Sequence, residues 1–191
     1  MPHFTLIFIF VCIAVQIIYW IVTAFGVKKV AKNKGGWTMR ILAIIIVFSF
    51  IFLRKQMAVL APIMDDYFYT HSLISGLIAD AVVLLGVITM IWARVTLGKN
   101  WSANVVLKED HELIMTGPYA YVRHPIYSGV ILIVLGLAIY SGSFAGYLLF
   151  VLFFFGAYYK AYKEEKLLLE HFSEKYILYK KKVKAIVPFI C

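Results

Sequence analysis

The chain has 191 residues, of which 63% are hydrophobic and 15% charged, and its formal net charge is +9. A soluble domain carries about a quarter charged residues, so this composition excludes a soluble globular protein and points to an integral membrane protein. Basic residues at membrane edges account for the positive charge, so the expected partners are membrane lipids and not nucleic acid.

The first apolar run, about 4–26, is long enough for a hydrocarbon core that takes about 20 helical residues. A cleaved signal peptide carries its positive charge before the apolar run. Here Lys28, Lys29, Lys32 and Lys34 follow it, and Thr23-Ala24-Phe25-Gly26 is a poor cleavage site. A retained span is therefore expected. A second run, about 39–60, is interrupted by Arg54-Lys55-Gln56, and a third covers about 72–95. Asp80 lies about eight residues inside the third span, roughly 12 Å deep, with Arg54 and Lys55 at similar depth in the second. An ionisable residue within a membrane is a functional candidate by default. An Asp80–Arg54 ion pair is the structural alternative, and snorkelling of Arg54 and Lys55 is another.

A fourth span, about 125–141, begins at Pro125 and meets a fifth, about 143–162, through Ser141-Gly142-Ser143. From Glu164 onward the charge density is too high for a span. Leu169, Phe172, Tyr176 and Tyr179 nevertheless recur at helical steps, predicting an amphipathic helix on the membrane surface or on the protein, with lysines toward lipid phosphates. The expected class is thus an all-α, polytopic membrane protein of five spans and one domain, 1–191. No strand is expected, and no G-x-G-x-x-G follows one, which excludes a nucleotide-binding α/β fold. Cys12 and Cys191 suggest neither a disulfide framework nor a metal site. Positive segments follow the first, third and fifth spans, while the 61–72 loop carries only Asp65 and Asp66. This pattern places the N-terminus outside and the C-terminus in the cytoplasm.

The fourth and fifth spans form a hairpin, which brings Gly117-Pro118-Tyr119 and Arg123-His124-Pro125-Ile126-Tyr127-Ser128-Gly129 to the same edge as Glu164-Glu165. Proline suits the first helical turn. The free N–H groups and partial positive charge of that helix start favour an anion, and Arg123 strengthens the preference. The glutamates favour a cation, so a zwitterionic ligand fits between them. Two plainer readings stand beside this one: Arg123 and His124 as interfacial residues of the positive-inside kind with Tyr119, Tyr121 and Tyr127 as an aromatic belt, and Glu164-Glu165 as a solvated face paired with Lys160 or Lys163.

The motif Arg-His-Pro-x-Tyr-x-Gly, with the glutamate pair at hairpin distance, resembles the isoprenylcysteine carboxyl methyltransferase family, in particular its compact prokaryotic members. The match covers roughly residues 95–190. The resemblance implies S-adenosylmethionine as methyl donor, S-adenosylhomocysteine as product, and a cytoplasmic site in the cell membrane. Its pocket would comprise Asn104, His111, Glu112, Leu113, Ile114, Tyr119, His124, Pro125, Ile126, Tyr127 and Glu164, within segments of about 104–127 and 160–165. Arg123, Glu165 and Lys160 are the residues expected to act on the reaction, and Lys160 stands where related eukaryotic members carry arginine. The acceptor implied is a prenylated cysteine or another lipophilic molecule. A phospholipid or other amine N-methyltransferase, using Glu165 or His124 as base, is the nearest alternative. A sterol-reductase-like enzyme using NADPH is a second, and a transporter a third.

Overall fold

The computed structural model describes residues 2–24, 30–33, 66–69, 71–101, 106–108 and 112–188. The expected second span, 39–60, lies outside the described residues, and so do Arg54, Lys55 and any pairing of theirs with Asp80. Helix α1 (Pro2–Ala24) covers the first expected span and α2 (Leu73–Leu97) the third. The hairpin follows as α3 (Pro125–Ser141) and α4 (Phe144–Lys182). Among the described residues three helices are long and apolar enough to cross a membrane, and α3 is a shorter apolar helix of 17 residues. At 1.5 Å per residue α3 reaches about 26 Å, just short of a typical hydrocarbon core of about 30 Å. The protein is an integral membrane protein with a helical fold.

Local chemistry sets the helix ends. Ser72 caps α2: its hydroxyl accepts from the Ser75 N–H at 3.1 Å while the Ser75 hydroxyl accepts from the Ser72 N–H at 3.0 Å. This reciprocal pair satisfies two otherwise orphaned donors. Gly142 ends α3 in the left-handed conformation (φ 61°) that glycine adopts without steric cost. Ser143 then caps α4, accepting from the Gly146 N–H at 3.2 Å. A helix stop, one turn residue and a helix start in succession make the two helices antiparallel neighbours.

Helix α3 occupies the middle of the described helices. On one side Val83, Val87 and Met90 of α2 pack with Ile133 of α3 and with Ile9 and Cys12 of α1. On the other, Ile131 packs with Ala157 and Ala161 of α4 and with Ala185 and Ile186 of the tail. The α2–α3 contact is close because glycine faces glycine. A β-carbon on Gly86 would lie 2.6 Å from the Gly129 carbonyl oxygen, and one on Gly129 would lie 2.7 Å from the Gly86 carbonyl oxygen. Small residues permit such backbone approach between helices in a membrane, where apolar burial alone does not drive association. The glycine closing the Arg-His-Pro-x-Tyr-x-Gly motif is therefore a packing residue.

The far ends of α1 and α2 are tied by Arg94. Its guanidinium donates to the Thr23 carbonyl at 2.6 Å and the Gly98 carbonyl at 2.8 Å, and lies 4.6 Å from the Trp101 ring centre. Just beyond, β1 (Val30–Asn33) pairs antiparallel with β2 (Val106–Lys108), so one small ladder joins the segments leaving these two helices. No strand was expected there. Runs this short cannot display an alternating pattern, and their lysines read as a membrane-edge charge cluster.

Helix α4 also differs from expectation in its continuity. It runs on through Glu164 instead of ending near Tyr162, and its geometry breaks only at Ser173, whose φ of 45° lies outside helical space. Beyond the break Tyr176 and Tyr179, from the predicted apolar stripe, are buried.

Candidate functional site

The polar site forms where α3 begins and α4 leaves its apolar stretch. Gly117–Ala120 makes a single 3-10 turn, entered through Gly117 at φ 59°. Gly117 sits against α2, where a β-carbon would lie 2.9 Å from the Thr96 hydroxyl. The turn buries Pro118 and Tyr119. Two residues later the chain reaches Arg123 and His124, with Pro125 in the first turn of α3 as expected. His124 occupies the N-cap position but its side chain makes no capping bond. The first N–H groups of α3 are thus left to other partners.

The two glutamates have different surroundings. Glu165 Oε1 accepts from Arg123 Nε at 2.8 Å and from Nη2 at 2.5 Å, and its Oε2 accepts from Lys180 Nζ at 2.7 Å. Both side chains of the arginine pair are almost fully buried, 7% exposed for Arg123 and 6% for Glu165. Arg123 Nη1 donates to the Val183 carbonyl and, at 3.4 Å, to that of Lys180. Glu165 lies three residues past the apolar stretch of α4. Burial pushes its carboxyl up, but His124, Lys180 and Arg123 facing it outweigh burial and hold it down at about 2.

Glu164 has no such compensation. Its Oε1 accepts from the Tyr127 hydroxyl at 2.5 Å, its Oε2 lies 3.6 Å from His124 Nδ1, and its side chain remains 24% exposed. Among the described residues no lysine or arginine pairs with it. His124 is held between the glutamates, with Nε2 3.4 Å from Glu165 Oε1. Its ring stacks on Tyr127, with centres 5.6 Å apart. Lys160 Nζ lies 5.2 Å from the other participant in that stack, the Tyr127 ring. Burial, followed by the neighbouring Glu164 carboxylate, pushes the Tyr119 phenol up and keeps it neutral.

The hairpin thus brings together Tyr119, Arg123, His124, Pro125, Tyr127, Lys160, Glu164 and Glu165. Ile126 is half-buried beside them. Leu113 and Ile114 are half-buried in the segment leading to the 3-10 turn, and Glu112 is exposed there. Asn104 and His111 lie outside the described residues. Arg123 stands just before the start of α3, as expected, and is committed to Glu165 and to two carbonyls of the tail, so its charge is already matched. The reading of both glutamates as open to a cation is narrowed in the same way, because Glu165 already holds two.

Several residues of this arrangement were not singled out in the sequence. Lys180 follows Glu165 by fifteen positions across the Ser173 break, which hides the pair from helical periodicity. The tail segment 183–186 was missed as well. Arg123 N–H donates to the Lys184 carbonyl at 2.8 Å and His124 N–H to that of Ala185 at 2.9 Å. Two cavities among the described residues lie elsewhere. One of about 460 Å³ is lined by Thr5, His71, Ser72, Asp80 and Tyr140 at the start of α2, and one of about 380 Å³ lies beside Arg94.

Fold and site together define a helical membrane protein whose polar groups converge at one end of a helical hairpin. Residues 74–175, more than half of the chain, match the family model described as phospholipid methyltransferase. The chain belongs to this methyltransferase family, and the resemblance carried by the Arg-His-Pro and Glu-Glu motifs holds. It is similar to the protein-S-isoprenylcysteine O-methyltransferase of Schizosaccharomyces pombe, 39% identical over 51% of this chain and 43% of that one. It is also similar to the Saccharomyces cerevisiae protein of the same name, 35% identical over 57% of this chain and 47% of that one. The chain thus spans just under half the length of these curated relatives. Its fold resembles the solved structure of the eukaryotic intramembrane Ras methyltransferase ICMT, isoprenylcysteine carboxyl methyltransferase. The TM-score is 0.55 at 24% identity, over 84% of this chain and 55% of that one.

Proposed function

We propose that the protein is an S-adenosylmethionine-dependent methyltransferase that esterifies the C-terminal carboxylate of an isoprenylcysteine-type lipid substrate. One observation carries the reading: Glu164, a partly exposed carboxylate without a lysine or arginine partner among the described residues, stands beside His124 at an uncapped helix N-terminus. The donor set fits the zwitterionic end of such a cofactor, with Glu164 for the ammonium and the first N–H groups of α3 for the carboxylate. Tyr119, Pro125, Ile126 and Tyr127 offer walls, and Leu113, Ile114 and Glu112 extend the pocket along the segment before the 3-10 turn; the family resemblance alone adds His111 and Asn104. When bound, the cofactor supplies an electrophilic methyl group on sulfur.

The chain's own contribution is alignment and exclusion of water. A carboxylate acceptor is ionised at neutral pH, its reference pKa being about 3.5, so it needs no general base. Transfer to such an acceptor would cancel opposite charges, which a site walled off from water by Tyr119, Pro125, Ile126 and Tyr127 would favour. Holding the reacting atoms in line contributes up to roughly 7–11 kcal/mol. Lys160, above the Tyr127 ring, is the cation placed to meet the acceptor carboxylate, and Arg123 with Glu165 fixes the framework around it.

The wider arrangement proposed is a single domain with five spans, the N-terminus outside and the site at the cytoplasmic face. The basic segments after the first, third and fifth spans support it. The prenyl tail stays among the helices or in lipid, and the final turns of α4 lie along the membrane surface. The name of the matching family favours a second reading, methylation of a phospholipid amine, which requires loss of a proton to a base; of the two expected candidates His124 fits this better than Glu165, which Arg123 and Lys180 hold ionised. Titrating purified protein in detergent with S-adenosylmethionine and, separately, NADPH tests the cofactor. Absence of S-adenosylmethionine binding sinks the proposal. Labelled-methyl transfer to N-acetyl farnesylcysteine tests the acceptor. A rate independent of pH between 6 and 9 supports the carboxylate, and a steep rise supports the amine.

A further inference from the structure

The loop that carries Tyr119 and His124 is held from outside, by a segment some sixty residues later. Tyr179, beyond the Ser173 break, donates its hydroxyl to the Tyr119 carbonyl at 2.5 Å, and both tyrosines are buried. Residues 183–186 then run parallel to the loop, with Val122 bridged to Lys184. The Arg123 and His124 N–H groups donate to Lys184 and Ala185, as described above. Ser128, one turn into α3, donates its hydroxyl to the Ile186 carbonyl at 2.5 Å. Ile186 is among the most buried side chains and joins the core between α3 and α4.

These contacts share one geometric effect. The 3-10 turn ends at Ala120 and α3 begins at Pro125, which has no N–H, so residues 121–124 lie in neither helix. The tail satisfies the backbone of this connection from the side and thereby sets where the His124 ring stands between Glu164 and Glu165. We infer that Tyr179 and Ser128 are positioning residues for the cofactor pocket, holding, together with the extended segment 183–186, the loop that presents Tyr119 and His124. The inference rests on the cofactor reading of this site. Neither side chain touches the Glu164 carboxylate, so each acts through the loop and not on a ligand.

Tyr179→Phe keeps the buried ring and its edge contact with Tyr176 (centres 6.0 Å apart) while leaving the Tyr119 carbonyl unsatisfied. Ser128→Ala removes the bond to the Ile186 carbonyl of the tail and the weaker one, at 3.3 Å, to the His124 carbonyl of the loop. The probe is S-adenosylmethionine, measured by direct binding to full-length protein in detergent and by KM and kcat with N-acetyl farnesylcysteine. Each variant is expected to weaken cofactor binding about tenfold, as loss of a buried hydrogen bond implies. The cofactor KM should rise in step, with acceptor KM and kcat near their unaltered values. A merely structural role would instead lower the yield of active protein and leave both KM values alone. If the unaltered protein binds S-adenosylmethionine and both variants bind it equally well, this inference fails and the cofactor reading stands. If the unaltered protein does not bind it, the cofactor reading fails and takes this inference with it. Should Tyr179→Phe fail to fold, Ser128→Ala decides alone.

Discussion

Arg123 and Glu165, 42 residues apart, meet at 2.8 Å through Nε and Oε1, joining the entrance of α3 to α4 just past its apolar stretch. Breaking a buried ion pair from one side strands the other charge and costs about 3–5 kcal/mol. Lys180 remains beside Glu165, so Arg123→Ala is expected near the lower end, about 3 kcal/mol. Arg123→Lys should recover only part of this, because an ammonium cannot reach the carboxylate and the tail carbonyls together. Chemical unfolding in detergent, in a double-mutant cycle with Glu165→Gln, measures the coupling.

The same carboxylate predicts an acid limb. In the folded chain the Glu165 carboxyl is held at about 2, below its ordinary value of 4.5. Between those values the unfolded chain binds a proton that the folded chain does not, so lowering the pH favours unfolding. The stabilisation is complete above about pH 4.5 and is lost as pH falls through about 2, a total of about 3 kcal/mol. The difference in stability between the unaltered protein and Glu165→Gln, followed from pH 7 downward, should shrink across this window. A difference independent of pH would refute the assignment.

Glu164 should separate binding from stability. Glu164→Gln keeps an acceptor for the Tyr127 hydroxyl but removes the charge offered to an ammonium. A hydrogen bond to a charged group contributes about 1.5–3 kcal/mol, so S-adenosylmethionine binding should weaken by at least about tenfold. Unfolding stability is expected to change by less than about 1 kcal/mol. Isothermal titration and thermal unfolding of the same preparation check both.

Lys160 should report on the acceptor instead. Lys160→Ala removes the cation above Tyr127 and is expected to raise the KM for N-acetyl farnesylcysteine roughly tenfold, with the dissociation constant for S-adenosylmethionine unchanged. An unchanged acceptor KM would remove Lys160 from the substrate site.

Gly86 and Gly129 set the distance between α2 and α3. Gly86→Ala would place a methyl group 2.6 Å from the Gly129 carbonyl oxygen and 3.0 Å from the Ile133 nitrogen, and a shift of the Ile133 side chain, 2.8 Å away, would not relieve these backbone contacts. Overpacking of this kind costs about 1–3 kcal/mol. The loss should appear in denaturant unfolding of Gly86→Ala. Gly156, with open space around its α-carbon, provides a control in which alanine is tolerated.

Much of this was legible in the amino-acid order. Apolar runs near the length of a bilayer core define α1, α2 and the hairpin, and Ser141-Gly142-Ser143 marks its turn by residues that stop one helix and cap the next. Once the hairpin is drawn, the meeting of His124 with Glu164 and Glu165 follows from counting residues along two antiparallel helices. The short β1–β2 ladder did not announce itself, because runs of three and four residues carry too little pattern. Nor did the continuation of α4 through its charged segment, where composition changes but helical bonding does not.

The sequence by itself determined a membrane protein, the hairpin and the inventory of its polar end, because hydropathy and helix-capping chemistry are local properties. Only the tertiary structure decided what each charge does. Arg123 and Glu164 had looked like the two halves of a ligand site, yet Arg123 is matched by Glu165, while Glu164 has no lysine or arginine partner among the described residues. That difference depends on Lys180, Val183 and the tail segment folding back across the start of α3. Pairing between groups so far apart in sequence depends on the path of the chain, which no local pattern encodes.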